Sequence, residues 1–285
     1  MDIRFVNHNG NEVDLMSGVY KIEESSLFSH SWNYDSDDAA SGYGGKIKKF
    51  RKGVQNREIN IHIEGVGMES YKQAYDHIME IFDEDIIDET AGKLYIDDFY
   101  MRCFITDGEP VYFVPGLDMC TYKFKLASGY PFWIHEESRS FPPISPGSEG
   151  EESYLDYEHD YPYDYTMPYG GDVIWSVDHY APCEFMMTVF GPAVDPRVVI
   201  NGHPYQIYTT LDSNEYLQID SRANTVVKYL ANGIRQNIYD YRAKQESVFD
   251  PITPGNISVV WSGEFGFDIT LYCERSEPRW KIQSS

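Results

Sequence analysis

Apolar side chains recur at every second position through most of this chain, and the turns between those runs carry residues that tolerate positive φ. Ile59, Ile61 and Ile63 alternate with polar residues in REINIHIEG, Tyr122, Phe124 and Leu126 do so in TYKFKLASGY, and YQIY repeats the pattern at 205–208. A period of two sends alternate side chains to opposite faces of a pleated strand, so each run can bury one face and wet the other. Leu94–Ile96 and Phe99–Ile105 flank an Asp97-Asp98 turn, and Asn-Gly pairs stand at Asn9-Gly10, Asn201-Gly202 and Asn232-Gly233. Asn-Gly accepts the positive φ angles of a two-residue hairpin turn. The expected fold class is therefore mainly β, built from local hairpins.

One segment breaks the period. In SYKQAYDHIMEIFDED, Tyr71, Tyr75, Ile78, Met79 and Phe82 recur at intervals of three and four, which predicts one helix at about 69–85 with those residues on one face. Gly65 and Gly67 precede it and Gly92 follows the acidic run at its end. The second half has no comparable pattern, and its short, evenly spaced strands predict an antiparallel β-sandwich over 173–285. The first half, 1–135, reads as a β domain with a single helix packed on it.

Charge narrows the partners. With 46 Asp and Glu against 23 Lys and Arg, the net charge of −23 argues against free binding to DNA, RNA or anionic lipid, since all three repel a surplus of carboxylate. Hydrophobic residues at 42% exceed what a disordered chain carries, and the 24 tyrosines suit strands and contact surfaces. No apolar run approaches the ~18 residues of a bilayer span, and MDIRFVNHNG has neither the basic start nor the apolar stretch of a signal peptide. The expectation is a chain folded in cytosol without membrane insertion. Cys103, Cys120, Cys183 and Cys273 are far apart and form no CxxC or Cys/His spacing, so they read as buried thiols.

Two segments depart from the average composition. Residues 136–172 form a Pro- and Tyr-rich connector (YLDYEHDYPYDY) with ten acidic residues and Arg139 as the only base. Its X-Pro steps favour extended backbone. The stretch GYGGKIKKFRKG places Lys46, Lys48, Lys49, Arg51 and Lys52 within seven positions, close after the acidic Asp35–Asp38. Glycines at 42, 44 and 45 let this segment leave the body as an arm, about 29–57. It is either a solvated hairpin or a contact in which the basic arm of one copy meets an acidic face of the next.

Chemistry is not written in this sequence. It has no GxSxG, HExxH or GxxxxGK[ST], and its eight histidines lack metal-ligand spacing. His159 beside Asp160 reads as solvated, and the acidic runs 83–89 and 156–164 lack the register of a calcium loop. No catalytic residue, metal ligand or cofactor is expected, and the chain is not read as an enzyme. Sugar binding through a stacking aromatic stays open, with Trp175, Trp261 and Trp280 as candidates.

The second half contains VFGPAVDPRVVINGHPYQIYTTLDSNEYLQIDSRANTVV, then SVFDPITPGNISVVWSGEFGFDITLYCERSEPRW. This succession resembles the C-terminal domain of the distal tail (Dit) proteins of long-tailed siphophages. The resemblance is carried by Phe190-Gly191-Pro192, by Asp220 in YLQIDS, by the turn before Trp261, and by Arg275, Glu277, Pro278 and Trp280 at the close. The segment SGYPFWI ahead of the Tyr-rich connector is similar to the family as well.

The resemblance implies an N-terminal ring-forming β domain with one helix and a belt, followed by a galectin-like β-sandwich. It implies a hexameric ring at the tail tip of a virion, assembled in the host cytoplasm. That ring would join the tail tube protein to the tip hub or tail-lysin protein and support receptor-binding proteins, with DNA only as passing cargo. The segment 42–57 falls where the family carries its belt, which favours Lys46, Lys48, Lys49, Arg51 and Lys52 as subunit contacts. The alternative is a carbohydrate-binding adhesion protein acting through the sandwich.

Overall fold

A computed structural model of the chain describes residues 1–38, 43–144 and 171–279. The chain divides into two units. The first is Met1–His135 together with the chain from Glu274, and the second is drawn from Glu136–Cys273. Most of the expected connector, residues 145–170, lies outside the described residues, and residues 136–141 of it are strand.

The first unit opens with β1 (Ile3–Val6), β2 (Glu12–Asp14), β3 (Tyr20–Ser25), β4 (Asn33–Asp38), β5 (Gly45–Arg51) and β6 (Gln55–Glu64). The helix α1 (Met68–Ile87) follows, then β7 (Gly92–Ile96), β8 (Phe99–Phe113), β9 (Met119–Ser128) and β10 (Trp133–Phe141). Strand β8 is the corner of the unit. Its first five residues pair with β7, in a sheet ordered β2-β1-β7-β8-β10, while its later residues pair with β9 in the order β3-β6-β9-β8. Register shifts at Ile105/Asp107 and Pro110/Tyr112 bend it, as extra residues in one strand of a pair do.

The alternation read from the sequence supplies the core. Ile59, Ile61, Ile63, Phe124 and Leu126 are buried, and α1 lies on them through Tyr71, Ala74, Ile78, Ile81 and Phe82. Tyr75 and Met79, expected on the same face, are half-buried at its edge. Phe82 meets Phe5 and Phe124 edge-on at 5.1 and 5.2 Å, an arrangement that ring quadrupoles favour.

The helix ends in an acidic run, which a helix C-terminus disfavours. The loop after β1 offsets this. His8 donates its backbone N–H to Asp85 Oδ1 at 2.8 Å, and its ring nitrogens lie 2.8 Å from Asp85 and 3.0 Å from Asp88. Asn7, Asn9 and Asn11 each point a side-chain amide at Glu84, at 2.5, 3.3 and 3.2 Å.

The second unit contains β11 (Gly171–Val177), β12 (Glu184–Phe190), β13 (Ala193–Val194), β14 (Arg197–Ile200), β15 (His203–Gln206) and β16 (Thr210–Leu211). It continues with β17 (Tyr216–Asp220), β18 (Thr225–Tyr229), β19 (Arg235–Asn237), β20 (Gly255–Trp261) and β21 (Phe267–Arg275). Strands β19-β18-β17-β12-β21 form one sheet, with β10 beside β21. Strands β11-β20-β14-β15 form the other, and β13 pairs with β16. Phe185, Met187, Val189, Leu217, Ile219, Ile269 and Leu271 from the first sheet share one core with Trp175, Val198, Ile200, Ile257 and Val259 from the second. This is a β-sandwich, each sheet burying one face. Asn201 and Gly202, both at positive φ (51° and 83°), make the β14–β15 turn as the Asn-Gly pair requires. The fold is mainly β with one α-helix among the described residues.

Candidate assembly surface

Strands β4 and β5 pair with each other and with no other described strand. Every residue of both strands is exposed. The segment is thus a two-stranded ribbon wet on both faces, and residues 39–42 that join its strands lie outside the described residues.

The register brings the acidic and basic runs together. Asp35 faces Lys49 and Asp37 faces Lys46 across the ribbon. Lys48 ion-pairs with Asp37, and Arg51 reaches Asp35 at 3.1 Å. Strand β4 carries three aspartates and β5 four bases, leaving the described ribbon at about one positive charge. Such exposed pairs are individually weak, but they consume the charge that made this segment stand out in the sequence. The ribbon also exposes apolar side chains: Tyr34, Ile47 and Phe50 are each half or more exposed, and Tyr34 and Phe50 lie across from one another with ring centres 6.4 Å apart.

Lys52 does not share the ribbon's exposure. Its Nζ donates to Ser276 Oγ at 2.9 Å and to the Pro131 carbonyl at 3.4 Å, and it sits over the rings of Phe132 (4.3 Å) and Trp32 (4.8 Å). Burial lowers its pKa to about 8, helped by the nearby positive charge of Arg57. The same root carries Gln55 Nε2 donating to Ser31 (2.6 Å), Arg57 Nε donating to Ser29 (3.0 Å), and His30 against Glu277 at 2.8 Å. Both strands of the ribbon therefore leave the body from a hydrogen-bonded base, and Lys52 belongs to that base.

A second projection in this unit carried no charge signal. The far ends of β8 and β9 form a hairpin whose tip exposes Val111, Tyr112, Phe113, Val114 and Leu117. In the sequence it reads only as VYFV bracketed by Pro110 and Pro115-Gly116, indistinguishable from a buried strand.

The other singled-out residues have framework positions. Phe190 ends β12 and, with Gly191 and Pro192, helps line an open groove of about 220 Å³ whose other walls include Phe141, Pro143 and Phe267. Asp220 accepts the N–H groups of Arg222 and Ala223 at 2.9 and 3.1 Å, fixing the β17–β18 turn. Trp261 is buried and donates Nε1–H to Phe265 O at 3.1 Å. Arg275 ends β21, Glu277 meets His30, and Pro278 is buried. Trp280 lies outside the described residues. Of the described ones, Phe190, Gly191 and Pro192 share that groove. Trp175 and Trp261 are core residues, each about 5% exposed, and present no face on which a sugar ring could stack.

No protein-family model and no curated protein matches the sequence. Solved structures do match. The crystal structure of the Dit protein (gp 19.1) of phage SPP1, titled a paradigm of the hub adsorption apparatus in phages that infect Gram-positive bacteria, is similar at a TM-score of 0.62 and 11% identity, covering 96% of this chain and 99% of that one. The chain has the Dit fold. The baseplate of phage P2 in its activated conformation with calcium matches at a TM-score of 0.60 and 11% identity, over 97% of this chain and 99% of that one, and the strontium form matches equally. The Dit fold thus spans both units, including the first, where no quotable motif carried the resemblance.

Proposed function

We propose that this protein is a structural, non-enzymatic component of a siphophage tail tip. In this reading copies close into a hexameric ring that joins the tail tube to the hub or baseplate and supports host-recognition proteins. The first unit forms the ring, the second projects as a galectin-like sandwich, and DNA meets the ring only as cargo in its lumen. The particle is a virion assembled in the host cytoplasm, and the role needs no cofactor.

One observation carries the reading: a ribbon exposed on both faces and paired, among the described strands, only with itself, held on a firm base, in a chain with the Dit fold. An isolated two-stranded ribbon is marginal in water, so its persistence calls for a surface to lie on. A neighbouring copy supplies one, as closed rings are built from repeated head-to-tail contacts. Because charge is largely matched within the ribbon, Tyr34, Ile47 and Phe50 are the contacts that gain most from burial.

The test is to image the purified protein by negative-stain electron microscopy beside a variant in which residues 33–51 are replaced by a short Gly-Ser link. Closed rings for the parent, and monomers with an unchanged far-ultraviolet circular dichroism spectrum for the variant, are expected. A parent that stays monomeric at high concentration and binds no tail protein sinks the reading.

A further inference from the structure

Cys183 and Cys273 face one another within the second unit. Strands β12 and β21 run antiparallel with Glu184 opposite Tyr272, so one step earlier Cys183 stands opposite Cys273. Both share the inward parity of Phe185, Met187, Leu271 and Ile269, and both are buried. Their sulfurs are 3.8 Å apart. The backbone decides what this proximity is worth. The Cys183 N–H donates to Ile252 O and the Ile252 N–H donates to Cys183 O, each at 2.9 Å, so the hydrogen bonds of Cys183 turn away from β21. The Cys183–Cys273 pair is thus of the narrow, non-hydrogen-bonded kind, with Cα atoms about 4.5 Å apart. That spacing lies inside the range a disulfide spans without backbone movement.

We propose that Cys183 and Cys273 are a latent cross-strand disulfide, closed by exchange with a low-molecular-weight disulfide. One cysteine thiolate attacks a sulfur of the small disulfide and releases one small thiol. The second cysteine then displaces the other small thiol from the mixed disulfide as the protein S–S bond forms. Two cysteine thiols and one small disulfide become one protein disulfide and two small thiols, so two electrons leave the protein sulfurs and both thiol protons end on the released thiols. Cys183 precedes the first residue of β12 and bridges to Ile252, so the pair stands at the end of the strand, where exchange begins. The bond would join residues 90 apart in the chain, and such a cross-link restricts the unfolded state over a long loop. The chemistry does not depend on the tail-tip reading. That reading adds an occasion, because a particle leaving a reducing cytosol meets oxidising surroundings where disulfides persist.

The experiment equilibrates full-length protein with mixtures of reduced and oxidised glutathione, once in the folded state and once during refolding from urea, so that burial of the thiols does not limit access. After acid quenching, the expected result is the loss of two hydrogens from the intact mass. A non-reduced digest then yields one cross-linked pair, the peptides holding Cys183 and Cys273, absent from Cys183→Ser and from Cys273→Ser. The urea midpoint of the oxidised second unit rises and returns to its starting value with dithiothreitol. Protein refolded in oxidising buffer that keeps all four thiols, or that links Cys103 or Cys120 instead, overturns the proposal.

Discussion

His8 sits between two carboxylates at the end of α1, and the hydrogen bond to Asp85 raises its pKa above the ordinary value of 6.5, with Asp88 adding to the effect and desolvation opposing it. A base whose folded pKa is raised stabilises the fold fully below its unfolded pKa and loses that contribution as pH climbs through the folded value. The stability gap between the parent and His8→Gln should therefore narrow as pH rises above about 6.5, read as the difference in urea midpoints at acidic and mildly alkaline pH. A gap constant across that range would mean the imidazole carries no proton in the clasp. Gly92 is the complementary case, where space rather than charge is limiting. A Cβ there would lie 2.2 Å from Asp85 Oδ2 and 2.5 Å from Phe5 Cζ. Gly92→Ala should cost about 1–3 kcal/mol in denaturant unfolding, as overpacking a filled core does. Neither role is visible in the chain as written. Asp85 reads as one more acid in DEDIIDE, and only the fold brings the loop after β1, 77 residues away, onto it.

Among the elements, hairpins were the most legible: Asn201-Gly202 states turn geometry and strand period together, whereas at Asn232-Gly233 only the glycine takes positive φ and the last paired residues, Tyr229 and Arg235, close a longer loop. The helix was legible from its change of period, although Ala74 and Ile81 take the centre of the buried stripe and Tyr75 and Met79 its margin. Small and branched side chains fit closest to the strands, and a periodicity count weights them no more than tyrosine. Ile78 is fully buried at that centre, so Ile78→Ala should destabilise the first unit by about 2–5 kcal/mol, measured by urea unfolding. The β4–β5 ribbon was legible as a departure in composition but not in its pairing. Composition counts the lysines, whereas register sets Asp35 and Asp37 opposite Lys49 and Lys46. Replacing Tyr34, Ile47 and Phe50 together by Ser should weaken association of the protein in sedimentation velocity more than reversing Lys46, Lys48, Lys49 and Arg51. Each of these changes should leave the isolated fold within about 0.5 kcal/mol, since exposed positions away from caps and cores cost little. Equal loss from both sets would restore charge as the driver.

At the scale of the molecule, a net charge of −23 makes copies repel one another at long range. Repulsion over that distance fades once the Debye length falls to about 8 Å near physiological salt, whereas close ion pairs at a contact need more salt to weaken. Association followed by light scattering should thus rise between low and moderate salt and level off. A steady fall from the lowest salt upward would mean that attraction between charged surfaces dominates instead. The two β-rich halves could be read from the sequence, but not the path that the chain takes through them. Turn and strand signals are local, and nothing in LYCERSEPRW says that its later residues rejoin a unit that began at Met1. The chain enters the sandwich along β10 and leaves it along β21, and those strands are neighbours there, with Ser138 Oγ 2.8 Å from Thr270 Oγ1. A domain whose two ends emerge side by side is a cassette. It can be exchanged for any other fold with adjacent termini by two splices, leaving the sequence on either side uncut and giving a lineage of such proteins a ready position at which to trade one domain for another.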